Sequence, residues 1–525
     1  MLHHRLLPLL LLLLAPAALA QTPRADLLIR NGRVYDGAGG PAVLADVAVR
    51  QGRIVAVGTL PADYPADTVL DARGLAVAPG FIDVHTHIED DEVRQPTADN
   101  FLLDGVTTVV TGNCGSSRPS LRRYFRTLDS LHLSVNVASL IGHGDVREAV
   151  LGQARRAPTE AELTQMEALV DSAMRAGAVG LSSGLIYVPG TYARTPELVR
   201  LARVVARHRG LYATHMRSEG DSITWAIAEA LQVGREAKLP VQISHLKLSG
   251  PPNWGRTTEI LGQIEAARAA GQAVTIDQYP YTASSTSLST LLPDEVQADG
   301  RDSLRARLAR PAVRREVVAG LLRRLRRRGL RHFSYAVVAS FPPDTSLQGL
   351  SIEQINRRRG RPHHARHEAA TILDLVARYN AGMVFHGMSE TDVQAIMRYP
   401  HNMVASDASI RVWRQGVPHP RGYGSNARVL GRYVREQQVL PLEEALRRMT
   451  SLPAATFGFQ DRGLLRPGFA ADIVVFDPAT VQDRSTFEQP HQYSVGMRYV
   501  LVNGRLTVSE GRHTGARSGQ VLRKF

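Results

Sequence analysis

Pro79-Gly80-Phe81-Ile82-Asp83-Val84-His85-Thr86-His87 decides how this chain is read. An apolar run leaves a Pro-Gly turn and ends in two histidines one residue apart. In a strand, alternation puts both imidazoles on one face at its C-terminal end. Seven later segments share the design of a short apolar stretch ending in polar residues: 107–114, 135–143, 178–185, 211–217, 241–247, 273–279 and 403–407. Helical stretches separate them. Thr159 and Glu162 form a capping box ahead of Leu163, Met166, Val170, Ala173 and Met174, which share one helical face. Thr195-Pro196 starts a second helix that runs through Val204, with Gly210 beyond its end. Eight alternating units predict an α/β fold, a (β/α)8 TIM barrel over residues 81–450, with its site where the strands end.

On either side of the barrel the pattern changes to short strands and Gly turns. Residues 27–30 lead into Asn31-Gly32, read as a hairpin. Residues 46–49 and 54–57 bracket Gln51-Gly52. After the barrel, residues 472–476 and 499–502 are strands, the second turning at Asn503-Gly504. Neither flank can bury a core alone, so residues 21–80 and 451–525 are expected to pair into one discontinuous β-sandwich. The connection between residues 281 and 403 is too long for a single loop and predicts an inserted lid or subdomain at about 285–375.

The chain opens with a basic start, an apolar run from residue 6 to 15 and Ala18-Leu19-Ala20. Together these read as a secretory signal peptide over residues 1–20, with a periplasmic or secreted mature protein and no stable membrane anchor. With one cysteine, Cys114, the chain has no internal disulfide. The formal charge is +14, and a block of arginines runs from residue 301 to 331. That block admits a basic nucleic-acid-binding protein as a rival. Yet Val317, Val318, Leu321, Leu322 and Leu325 recur there at helical spacing, which puts the arginines on the solvent face of an amphipathic helix. No nucleic-acid partner is therefore expected.

Six side chains collect at predicted strand ends: His85, His87, Cys114, His215, His245 and Asp407. A lone His-x-His is weak evidence. Imidazoles, a thiolate and a carboxylate at one end of a barrel together suit zinc. Lys247, two residues past His245, shares its inward face if the strand continues, and could meet a substrate carboxylate. Arg421 could bind a carboxylate bidentately.

The sequence resembles the amidohydrolase superfamily through residues 79–87 and through Gly468-Phe469-Ala470-Ala471-Asp472. Within it, Gly112-Asn113-Cys114-Gly115, Gly180-Leu181-Ser182-Ser183-Gly184-Leu185, Thr214-His215-Met216-Arg217 and Ser244-His245-Leu246-Lys247 resemble the N-acyl-D-amino-acid deacylase (D-aminoacylase) family. The resemblance implies zinc-dependent hydrolysis of N-acyl-D-amino acids to a carboxylate and a free D-amino acid. It implies one zinc held tightly by Cys114, His215 and His245. It also implies a weaker second site at His85, His87 and Asp407, with Cys114 bridging. Zinc would activate water for attack on the acyl carbonyl, and Asp407 would act as general base and then acid. Lys247 would hold the substrate carboxylate, with Tyr187, Tyr279 and Ser284 beside it. His143 and His386 are read as supporting or structural residues. Two departures bear on selectivity: Ala408-Ser409 follows Asp407 where glycine is usual, and the loop from Asp407 to Arg421 is long. A dipeptidase, or a cyclic-amide hydrolase of the dihydroorotase or hydantoinase kind, would use the same metal site.

Overall fold

Eight parallel strands with their helices form the middle of the chain in the computed structural model, which describes residues 24–524. The expected leader, residues 1–20, lies outside them. The strands are Phe81–Asp83, Val106–Thr111, Asn136–Ser139, Gly180–Gly184, Leu211–His215, Val241–Ile243, Val274–Gln278 and Asn402–Val404. They are buried almost throughout, as the apolar, β-branched runs require of strands covered on both faces. The last strand returns to the first. The Asp407 amide donates to the His85 carbonyl and the His87 amide to the Ala408 carbonyl, both at 2.9 Å. This (β/α)8 closure brings residues 85–87 and 407 together at the C-terminal end of the barrel. The capping box forms as read: Thr159 opens the helix Glu160–Arg175, and Leu163, Met166, Val170, Ala173 and Met174 are its buried face.

The two flanks of the chain share a nine-stranded sheet. It is a single curled sheet: its edge strand Arg53–Gly58 comes round to meet Gly468–Ala470, so its inner faces pack like a sandwich. Gln51-Gly52 and Asn503-Gly504 are hairpin turns, with φ of 50° and 77° and of 49° and 77°. Asn31-Gly32 is not. The strand Ala25–Val34 runs through it with a register shift against Val43–Arg50. Asn31 takes φ 60° there, and a Cβ on Gly32 would meet Val77 Cγ2 at 2.4 Å, so the pair makes a bulge.

Between the seventh and eighth barrel strands lies a three-stranded antiparallel sheet with Gly382–His386 central between Ala283–Ser287 and Ala336–Ser340. Helices including Pro311–Arg327 and Ala365–Arg378 pack on it around a separate core that contains Leu321, Phe333, Ile372 and Phe385. Helix Pro311–Arg327 buries Val317, Val318, Leu321 and Leu325, as its spacing predicts, while Leu322 is only partly covered. Arg315, Arg323, Arg326 and Arg327 are exposed as expected, while Arg314 and Arg324 are half-buried, and so is Arg328 just past the helix end. No helix among the described residues is long and apolar enough to cross a membrane.

Candidate metal centre and active-site cleft

The barrel strands end in an unusual backbone conformation. Cys114, His245 and Asp407 have φ of 53°, 37° and 51°. An L-residue pays roughly 1–2 kcal/mol for a left-handed conformation, so such positions need support from their surroundings. The support at Cys114 is close packing. A Cβ on Gly184 would lie 2.0 Å from the Cys114 carbonyl oxygen, and one on Gly112 would lie 2.2 Å from that of Leu140. The Gly115 amide donates to Ser182 Oγ at 3.0 Å. These contacts account for Gly112 and Gly184.

Three imidazoles meet around one sulfur. Cys114 Sγ lies 3.2 Å from His85 Nε2, 3.8 Å from His215 Nδ1 and 3.6 Å from His245 Nε2. Asp407 Oδ1 lies 3.2 Å from His87 Nε2 and 3.7 Å from His85 Nε2. All six side chains named from the sequence thus converge. Each of the three imidazoles on the sulfur turns its other nitrogen toward a carboxylate. His85 Nδ1 is 3.4 Å from Asp277, His245 Nδ1 is 2.9 Å from Glu219, and His215 Nε2 is 4.0 Å from Glu219. The facing carboxylates favour a proton on the outer nitrogen, which leaves the inward nitrogen free to bind a cation.

The charges set one another. Burial works against the Cys114 thiolate, but His85, His215 and His245 bring the thiol well below its usual range. Burial likewise opposes the Asp407 carboxylate, while Arg421, with Nη1 at 2.8 Å, and His85 hold it well below the ordinary value. Against burial, Lys247, His215 and His245 keep Glu219 ionised.

The residues expected to bind substrate divide. Arg421, Tyr187 and Asp407 line a cavity of about 450 Å³ with Cys114 and His87. Tyr187 packs on His215 with ring centroids 5.0 Å apart and accepts the Thr286 hydroxyl at 3.0 Å. Tyr279 is buried beneath the Arg421 guanidinium, 4.5 Å from its ring centre. Ser284 sits on the inserted sheet and lines an adjoining cavity that includes His215 and Glu219. Lys247 is only 2% exposed; its ammonium is ion-paired to Glu219 and stands 2.8 Å from His245 Nδ1. His143 is buried on Glu197 at 2.9 Å, and His386 is an exposed ring on Phe487; neither joins the cluster.

Glu219 and Asp277 were missed by the sequence reading. Asp277 ends the seventh strand and accepts the His245 amide at 2.9 Å, so its strand-end position was the available signal. Glu219 stands four residues past His215 in a loop, where spacing alone says nothing.

The profile of the amidohydrolase family matches residues 68–508. D-aminoacylase of Alcaligenes xylosoxydans xylosoxydans is 38% identical over 95% of this chain and 97% of its own. N-acyl-D-aspartate deacylase of the same organism is 39% identical over 95% of each chain. The crystal structure of N-acyl-D-glutamate deacylase from Bordetella bronchiseptica, complexed with zinc and a phosphonate mimic of the tetrahedral intermediate, superposes with a TM-score of 0.80. It shares 37% identity, covering 95% of this chain and all of the other. With the barrel, the curled sheet and the strand-end cluster in place, this chain belongs to the amidohydrolase superfamily and, within it, to the N-acyl-D-amino-acid deacylase (D-aminoacylase) family.

Proposed function

We propose that the chain hydrolyses the amide bond of N-acyl-D-amino acids, giving a carboxylate and a free D-amino acid, with zinc as cofactor. One observation carries the metal part. Three imidazoles aim one nitrogen at the Cys114 sulfur and face a carboxylate with the other, a donor set that suits zinc. Cys114, His215 and His245 would hold one ion tightly; His85, His87 and Asp407, sharing Cys114, would hold a second more weakly. Zinc supplies Lewis acidity toward water and the acyl carbonyl when bound. The similarity to the two deacylases and the D-aminoacylase supports the substrate class and the D stereochemistry.

Asp407 is the general base. Its carboxylate stays ionised beside Arg421, so it can accept a proton from the attacking water and return it to the departing amine nitrogen. Arg421 lines the cavity and is the nearer cation for the substrate carboxylate; Tyr279 fixes its guanidinium from below. Lys247 keeps Glu219 charged, and Glu219 in turn orients His215 and His245. Tyr187 and Ser284 border the substrate space. The leader-like sequence of residues 1–20 supports a periplasmic or secreted location for this activity.

Amino-acid release by the zinc-loaded mature protein from matched N-acetyl-D- and N-acetyl-L-amino acids, with dipeptides alongside, tests the reading. A strong preference for the D-acyl substrates is expected. Release from dipeptides alone would replace the deacylase with a dipeptidase on the same metal centre.

A further inference from the structure

A second, larger cavity of about 870 Å³ opens between the barrel and the inserted sheet and helices. Thr286 lines both cavities, so the two adjoin. The barrel wall of the larger one includes His215 and Glu219 of the metal-ligand cluster. Its outer wall includes Arg323, Arg324, Arg327 and Arg328, from the last turn of helix Pro311–Arg327 and the residue beyond it.

These four arginines form two i, i+4 pairs on one helix face, a spacing at which like charges repel. Their place at a helix C-terminus offsets part of that cost through the helix dipole. The dipole gives no reason to half-bury two of them with no carboxylate in direct contact. Arg324 donates to the Thr290 carbonyl at 2.9 Å. Arg328 lies 5.3 Å over the Tyr335 ring and reaches Ser249 Oγ at 3.4 Å. Among the described residues none of the four makes an ion pair with a carboxylate. The acids on the same cavity have other partners: Asp221 accepts from Asn253 at 3.2 Å, Asp294 from Thr191 at 2.7 Å, and Glu295 pairs with Arg155 at 2.9 Å. Glu219 is taken by Lys247. Burial, and then the neighbouring Arg328 and Arg327 charges, lower the pKa of Arg324 against the opposing pull of Tyr335 and Asp221. An arriving anion would relieve that crowding.

We propose that this arginine face is a subsite for a second carboxylate on the substrate, carried by the D-amino-acid side chain or by a dicarboxylic acyl chain. The proposal rests on the deacylase reading. Guanidinium forks match a carboxylate's two oxygens, and the cavity leads such a group away from the reacting amide toward the inserted helix.

Two matched pairs of substrates separate the sources. N-acetyl-D-glutamate against N-acetyl-D-glutamine reads the side chain; N-succinyl-D-leucine against N-succinamoyl-D-leucine reads the acyl chain. For the zinc-loaded full-length protein, the ratio of kcat/KM, acid over amide, is expected to exceed unity in one pair, which names the source. That ratio should fall about tenfold or more in Arg324→Gln/Arg328→Gln, and should shrink in the wild type as salt is raised. Arg323→Gln, at an exposed position, should lower it in the same direction if the double variant folds poorly. Ratios near unity in both pairs overturn the subsite while leaving the deacylase intact. So does a high ratio that none of the substitutions changes. If none of the four substrates is hydrolysed, the deacylase reading itself fails, and the subsite falls with it.

Discussion

At the scale of single residues, the site is held by conformations that its side chains do not favour. Cys114, His245 and Asp407 are left-handed, and at Cys114 nearby glycines let neighbouring backbones press in close enough to keep it so. Gly184 is the clearest case, because its Cα faces the Cys114 carbonyl with no room for a methyl group. Gly184→Ala is therefore expected to damage the metal centre without touching a ligand. Zinc bound per folded molecule should drop, and stability should fall by about 1–3 kcal/mol. Metal analysis after gel filtration, paired with urea unfolding, measures both. Full zinc occupancy in that variant would show that the close approach does not position Cys114. This layer was half legible in the sequence. The ligand types stood out at strand ends, because a thiolate, imidazoles and a carboxylate rarely gather there for packing. The carboxylates behind them did not, since Glu219 and Asp277 reach the site from positions that only the folded chain brings near.

At the scale of elements, periodicity was a good guide wherever an element's surroundings are uniform. The helix Glu160–Arg175 buries the face its spacing names. The helix Pro311–Arg327 buries the expected side as well, but its last turn faces a cavity rather than bulk water, and no local pattern distinguishes the two. Asn31-Gly32 has the signature of a hairpin, yet tertiary pairing carries the strand through it as a bulge. The long loop after Asp407 is similarly defined by its contacts. His419 in that loop contacts the inserted sheet through Nε2, 2.9 Å from the Ala283 carbonyl, and accepts the Arg421 amide at Nδ1 at 3.0 Å. With both nitrogens used in this way the ring is neutral, and burial followed by the Arg421 charge pushes its pKa well below the usual imidazole range. A lowered histidine stabilises the fold above its unfolded pKa. Below roughly pH 6.5 the unfolded chain takes up a proton that the folded chain refuses, and stability falls by up to about 1.4 kcal/mol per pH unit. In His419→Asn the amide oxygen can replace the Nδ1 acceptor, and this part of the acid sensitivity should vanish. Urea unfolding of both proteins at pH 8 and pH 5.5 checks it; equal losses would remove His419 as the source.

At the scale of the whole molecule, the two ends of the chain close what the middle begins. The barrel, the flanking sheet and the insertion were legible because alternation and segment order survive in any sequence that folds this way. The path of the C-terminal tail was not, because it depends on a gap in the barrel wall. Strand Asn136–Ser139 and its continuation Ile141–Gly142 meet the neighbour Gly180–Gly184 only from Ser139 upward, where the Val179 amide donates to the Ser139 carbonyl at 3.0 Å and Ile141–Gly142 pairs with Leu181–Ser182. Below that point the tail takes the open position. Val137 donates to the Gln520 carbonyl at 2.9 Å and accepts the Leu522 amide at 2.8 Å, and Gly519 donates to the Leu133 carbonyl at 2.8 Å. Gly519 runs so close that a Cβ would stand 2.0 Å from the Val135 carbonyl oxygen. Removing residues 516–525 would strand those backbone groups in a buried wall, at a cost on the order of 3 kcal/mol. The defect lies at the end of the barrel opposite the metal cluster, where changes affect stability rather than chemistry. The truncated protein should therefore melt earlier, yet bind its zinc with unchanged stoichiometry while folded, the reverse of the pattern expected for Gly184→Ala. Calorimetry and metal analysis on the same sample decide it. Loss of zinc at temperatures where the truncated protein is still folded would mean that the two ends of the barrel are mechanically coupled through strand Asn136–Ser139.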